Sequence, residues 1–209
     1  MIRAKKALQQ LIEGNQRFTS DDFSPNALTT QAKRASLVSG QAPKAVILGC
    51  SDSRAPAELI FDQGLGDLFV IRVAGNIVAP SQIGSVEFAT ENIGTRLVVV
   101  LGHSSCGAVT GTVDQLTTPV ENRSPNLSSI VDRIRPSIDT LIESGIGSDD
   151  KDALVKAAIR ANVRASVDHL RHGSQVIEDL IENDGLTIVG AEYSLETGVV
   201  EFFDHVPET

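Results

Sequence analysis

"RLVVVLGHSSCG", residues 96–107, is the stretch on which the fold turns. Leu97 to Leu101 are all apolar, with no polar alternation, so the run reads as a strand covered on both faces, as in parallel sheets. It ends on His103, and Cys106 follows three residues later. A second apolar run, "KAVILG" (44–49), leads into the chain's other cysteine, Cys50. A third, "DLFVIRVAG" (67–75), is short and rich in β-branched residues.

Helical patterns fill the gaps. "SQIGSVEFATENIG" (81–94) predicts a helix with Ser81 as its N-cap, and "SSCGAVTGTVDQL" (104–116) predicts a loop turning into a helix. "TTPVENRSPN" (117–126) reads as a surface loop, followed by helices over about 127–144 and 150–183. "GLTIVGAEYSLETGVVEFFDHV" (185–206) predicts two strands around "LETG", a hairpin. Upstream, Leu8, Leu11, Ile12 and Phe18 mark one face of a helix ending near Gly14–Asn15 or slightly beyond, and a second helical stretch over roughly 27–39 closes at Gly40. The alternation implies an α/β fold with a mainly parallel central sheet flanked by helices. It forms one domain over 1–209, with an N-terminal helical arm (1–39), an α/β core (40–209) and a C-terminal strand hairpin.

Composition narrows the class. With 209 residues, 41% hydrophobic and 22% charged, the chain can bury a sizeable core. A net charge of −9 without a basic run argues against nucleic-acid and anionic-membrane partners. No apolar run approaches the roughly 20 residues that span a bilayer. The amphipathic start "MIRAKKALQQLIEGNQRF" lacks an apolar leader core, which points to the cytoplasm, with an exported form open if a leader had been removed. In that compartment Cys50 and Cys106 read better as metal or redox groups than as a disulfide. No G-x-G-x-x-G or Walker loop follows any strand, which weighs against a nucleotide-binding module.

Functional groups collect beyond the carboxyl ends of strands in such sheets. Cys50 and His103 each end a strand, and Cys106 lies close by. Two thiolates and an imidazole suit zinc and leave a fourth tetrahedral position open, the pattern of a catalytic site. The plainer alternative is two small buried cysteines packed as hydrophobes. Asp52 lies two residues beyond Cys50, near whatever fills the open position, and Arg54 can hold its carboxylate ionised and oriented. The plainer alternative there is a surface salt bridge of little worth. His169 and His172, three residues apart on a helix, have no third ligand.

"CSDSR" (50–54) together with "GHSSCGAV" (102–109) resembles the β-class carbonic anhydrases. The similarity extends through "ALQQLIEGNQRF" (7–18), "FDQGLGDLFVIRVAGN" (61–76), "GSVEFAT" (84–90) and "VGAEYSLETG" (189–198). The resemblance implies reversible hydration of carbon dioxide to bicarbonate and one zinc ion per chain on Cys50, His103 and Cys106. It also implies that Asp52 and Arg54 form the catalytic dyad beside it. Asp52 could alternatively swing onto the zinc as a fourth ligand, and a site closed that way would only staple the fold. The resemblance also implies a substrate pocket with Gln41, Phe69 and Phe88, the last standing where many members carry tyrosine. By pattern alone, Phe69 and Phe88 read as core aromatics. The resemblance further implies a homodimer or higher even oligomer, with the N-terminal helices lying over the partner. A bicarbonate-regulated subtype uses a tryptophan and the chain has none, although Arg72 and Tyr193 correspond to other positions of that regulatory site.

Overall fold

The computed structural model describes residues 2–22, 29–117, 124–147 and 149–207. Its centre is a five-stranded sheet of order β2-β1-β3-β4-β5. The strands are β1 (Ala45–Gly49), β2 (Leu68–Arg72), β3 (Leu97–His103), β4 (Thr187–Tyr193) and β5 (Val200–Asp204). β1 is parallel to both β2 and β3, β3 is parallel to β4, and only β5 runs antiparallel. The hairpin of β4 and β5 and the mainly parallel sheet are thus as the sequence predicts.

Every residue of β1 and β3 is buried, because both faces of the sheet are covered. On one face, Ile47, Leu97 and Val99 meet α1 (Ala4–Thr19) and α3 (Ala57–Ile60). On the other, Val46, Leu48, Val98 and Val100 meet α4 (Pro80–Glu87), α7 (Lys151–His172) and α8 (Gln175–Asn183). A third apolar cluster closes the carboxyl end of the sheet. There α5 (Gly107–Thr117), α6 (Pro125–Glu143) and α7 surround Cys50 and Cys106 with Val113, Ile134, Ile138 and Ile159.

Several local expectations shift. α1 runs about a turn past Gly14–Asn15 to Thr19, and its apolar face, Ala4, Ala7, Leu8 and Leu11, packs against the sheet. Gly14 permits that approach, since a Cβ there would stand 1.9 Å from the Phe61 carbonyl oxygen. The second helix, α2 (Gln31–Ser36), is capped by Thr30, and residues 23–28 and 118–123 lie outside the described residues. Ser81 is not a cap: Pro80 takes the first helical position, where its fixed φ and missing N–H cost nothing, and Ala79 precedes it. The same helix widens into a π-helical turn over Phe88–Ile93 and stops at Gly94, φ 87°. The long helix expected over 150–183 breaks at Gly173, where Ser174 begins α8 by accepting a hydrogen bond from the Ile177 N–H.

Candidate metal centre and active site

The strand order reverses around β1, so the crevice between the ends of β1 and β3 is the switch point at which such sheets bind ligands. Cys50 follows β1 directly and His103 is the last residue of β3. Ser105, with φ 55°, turns the chain back so that Cys106 immediately precedes α5. A left-handed conformation at a non-glycine residue costs roughly 1–2 kcal/mol, which the surrounding contacts must offset. Ser104 supplies two of them: its N–H donates to the Tyr193 carbonyl (2.9 Å) and its Oγ accepts from the Leu195 N–H (2.9 Å).

The ligand atoms of Cys50, His103 and Cys106 all lie within 4.8 Å of one another, and all three residues are buried. The two sulfurs are 4.0 Å apart, close to the about 3.8 Å that a tetrahedral zinc with ~2.3 Å Zn–S bonds requires. His103 Nδ1–H donates to the Ser104 carbonyl at 2.9 Å, which leaves Nε2 with its lone pair free. That Nε2 is buried without a partner. A buried orphan nitrogen aimed at two thiols is expensive unless something binds it, so the donor set fits a zinc ion.

The three groups are electrostatically coupled. The hydrogen bond between the two thiols holds the Cys50 thiol well below its ordinary pKa against the cost of burial, helped by His103 and by the Gly75 and Asp52 amides. The same bond pushes Cys106 up, partly countered by the Val109 and Ala108 amides at the start of α5. Burial disfavours the charged form of His103, but the neighbouring Cys50 outweighs it and the net direction is upward.

Asp52 lies beside this triad and outside it. Arg54 grips the carboxylate in a fork: Nε to Oδ1 at 2.9 Å, Nη2 to Oδ2 at 2.7 Å, with the Arg54 backbone N–H also on Oδ1 at 2.9 Å. The Arg54 side chain is the main cause holding the Asp52 carboxyl well below the usual carboxylate range. Asp52 Oδ2 still lies 3.8 Å from His103 Nε2, facing the metal position from within the fork.

The remaining candidates are elsewhere in the chain. Gln41 is exposed and precedes β1, at the opposite end of the strand from Cys50. Phe69 pairs in register with Val46, four residues and roughly 13 Å short of Cys50. Its ring lies 6.2 Å from that of Phe88, which is 50% exposed. A cavity of about 1040 Å³ lies among Arg3, Lys6, Lys44 and Thr95 at that opposite end and touches none of Cys50, His103 and Cys106. The chemistry of the donor atoms, not cavity size, identifies the site.

Sequence reasoning gave Arg72 no place here. Its Nε donates to the Cys50 carbonyl at 2.9 Å and its Nη2 to the Asp52 carbonyl at 2.5 Å, so one guanidinium holds the loop that carries ligand and dyad. The available signal was a charge at the carboxyl end of an otherwise apolar strand. Asn162 and Ser166 also went unread, although both are polar residues within the buried stripe of α7.

A family profile described as carbonic anhydrase matches residues 45–200. "Carbonic anhydrase 2" of Mycobacterium tuberculosis is 37% identical over 207 residues, covering 98% of this chain and 94% of that protein. The carbonic anhydrase of Mycolicibacterium smegmatis is also 37% identical, with the same coverages of 98% and 94%. Among solved structures, the β-carbonic anhydrase CafA of Aspergillus fumigatus superposes with a TM-score of 0.75 at 23% identity, covering 97% of this chain and 91% of that one. One of two tetrameric β-carbonic anhydrases from Sordaria macrospora gives 0.73 at 23%, covering 95% and 97%.

Proposed function

Because the chain belongs to the β-class carbonic anhydrase family, we propose that it holds one zinc ion on Cys50, His103 and Cys106 and catalyses the reversible hydration of carbon dioxide to bicarbonate. The observation that carries this reading is the Asp52 carboxylate, fixed by Arg54 and facing the metal position from 3.8 Å.

Zinc, when bound, is a Lewis acid that acidifies a water molecule and so provides the nucleophile at neutral pH. The protein's residues do the rest. The His103–Ser104 hydrogen bond fixes the tautomer that presents Nε2. Asp52, ionised throughout the neutral range, accepts a hydrogen bond from the attacking water and aims its lone pair at carbon. Arg54 occupies both carboxylate oxygens and so holds Asp52 away from the fourth position. Ile77, Val109 and Ile134, packed around the sulfurs, give the site an apolar wall suited to an apolar gas and hostile to bulk water.

Gln41, Phe69 and Phe88 cannot reach Cys50 within one chain, which supports assigning them to the pocket of a neighbouring copy in a homodimer or higher even oligomer. Two free cysteines that must stay reduced to hold a metal favour the cytoplasm.

The test is stopped-flow hydration of carbon dioxide with zinc content measured on the same sample. Rates that scale with zinc content are expected. A zinc-replete protein no faster than buffer would overturn the reading and leave an α/β protein whose metal only staples the fold.

A further inference from the structure

The loop after β2 comes back to the metal position by an unusual backbone path. Val73 N–H bonds to the Gly49 carbonyl (3.1 Å), extending the sheet, and the chain then turns through a 3₁₀ turn, Ala74–Asn76. Gly75 sits in the left-handed region, φ 71° and ψ 17°, and its N–H donates to Cys50 Sγ at 3.4 Å. The left-handed conformation favours glycine, and a Cβ there, 2.7 Å from Ile134 Cδ1, would require that side chain to shift.

Two buried polar side chains, one turn apart on α7, hold this turn. Asn162 Nδ2 donates to the Gly75 carbonyl at 2.8 Å, and Ser166 Oγ to the Asn76 carbonyl at 3.0 Å. They are 2% and 4% exposed, on a helix whose buried face is otherwise mostly apolar, Ile159, Val163, Val167 and Leu170. Polar groups in such a stripe are costly unless bonded, and both are bonded to the two carbonyls that follow the amide facing the sulfur.

We propose that Asn162 and Ser166 are positioning residues for the metal site, fixing the 3₁₀ turn so that the Gly75 amide stays on the Cys50 sulfur. This rests on the zinc reading above. An N–H···S bond withdraws electron density from a metal-bound thiolate and orients it, as outer partners of metal ligands do. Without the clamp, the turn relaxes, the sulfur gains electron density and the ligand loses its fixed direction.

The experiment compares wild type, Asn162→Leu and Ser166→Ala. Zinc affinity is read by chelator competition, and the thiolate-to-metal charge-transfer band by absorption after cobalt substitution. Outer-shell losses cost roughly 10–100-fold in metal affinity, so Asn162→Leu is expected in that range and Ser166→Ala below it. In both, the cobalt band moves to longer wavelength, because a sulfur without its hydrogen bond gives up electrons more easily. A purely structural role would lower the melting temperature and leave the band in place. Wild-type affinity and an unmoved band in Asn162→Leu overturn the proposal. Should that variant not fold, Ser166→Ala decides by the same two readouts. A wild-type protein with no thiolate–cobalt band would instead sink the zinc site itself.

Discussion

Two arginine–carboxylate clusters stand near the carboxyl end of this sheet, and they are built oppositely. Asp52 and Arg54 are two residues apart in one loop, and the Arg54 side chain is 55% exposed. Arg160 on α7 reaches Glu192 on β4 at 2.7 Å and also bonds Glu201 on β5, with the Phe203 ring 4.7 Å from its guanidinium carbon. The second cluster joins a helix to two strands far apart in sequence, so it opposes unfolding. The first joins neighbours that are close in any state of the chain, and an exposed pair of that kind contributes little to stability. Its value lies in where it leaves the second carboxylate oxygen, 3.8 Å from His103 Nε2. The strength of an ion pair therefore says nothing about its role; its distance from the thiols does.

The harshest way to break the contrast removes the reason for the first cluster. Outer partners of metal ligands are worth roughly 10–100-fold, so Cys106→Ser, which deletes one of the three proposed ligands, is expected to cost more than that in zinc affinity and nearly all hydration activity. Full zinc occupancy in that variant, by elemental analysis, would remove Cys106 from the site.

Next in size is Arg54→Ala. Zinc content and melting temperature should stay near wild type while kcat/KM for hydration falls by about 10- to 100-fold, the loss of an oriented carboxylate. An unchanged kcat/KM in a zinc-replete sample would reduce the fork to a surface salt bridge.

Arg160→Ala should do the reverse. Unfolding free energy, from denaturant titration, is expected to fall by about 1 kcal/mol, with kcat/KM within about twofold of wild type. A large activity loss at unchanged stability would erase the distinction between the clusters.

The smallest effect uses the alternation of β4. Glu192 faces Arg160, while the next residue, Tyr193, turns into the core on the other face, packed near Phe18. Burial raises the Tyr193 pKa. A group whose pKa is raised by folding contributes stability that is complete below the unfolded value and lost as pH rises through the folded one. Above the unfolded value of about 10, the wild type should therefore lose stability faster than Tyr193→Phe, by at most about 1.4 kcal/mol per pH unit. Parallel alkaline melting curves would show that the phenol is not sheltered.

The strands and the meeting of Cys50, His103 and Cys106 were legible because each rests on residues read locally. An unbroken apolar run gives a central strand, and Cys50, His103 and Cys106 mark the ends of two of them. Asp52 and Arg54 were legible for the same reason, since their spacing along one loop is their geometry. What escaped depends on partners distant in sequence. Asn162 and Ser166 bond carbonyls of residues 75 and 76, and the carbonyls held by Arg72 lie 20 and 22 residues back along the chain. Backbone carbonyls leave no trace in a sequence. Ser81 lost its capping role to Pro80, a competition between two start signals. The break at Gly173 was readable, as a glycine followed by a capping serine, but the continuing apolar pattern obscured it.

The position of α7 also has a consequence in time. The three donor residues, Cys50, His103 and Cys106, lie within the first 106 residues, just after β1, at the end of β3 and in the turn that follows it, whereas Asn162, which bonds the Gly75 carbonyl, comes 56 residues later. At synthesis rates of roughly 5–20 residues per second that interval is roughly 3–11 s. A growing chain thus carries all three donor groups several seconds before the helix that bears Asn162, so the order of translation presents the donors before the Gly75 turn is held.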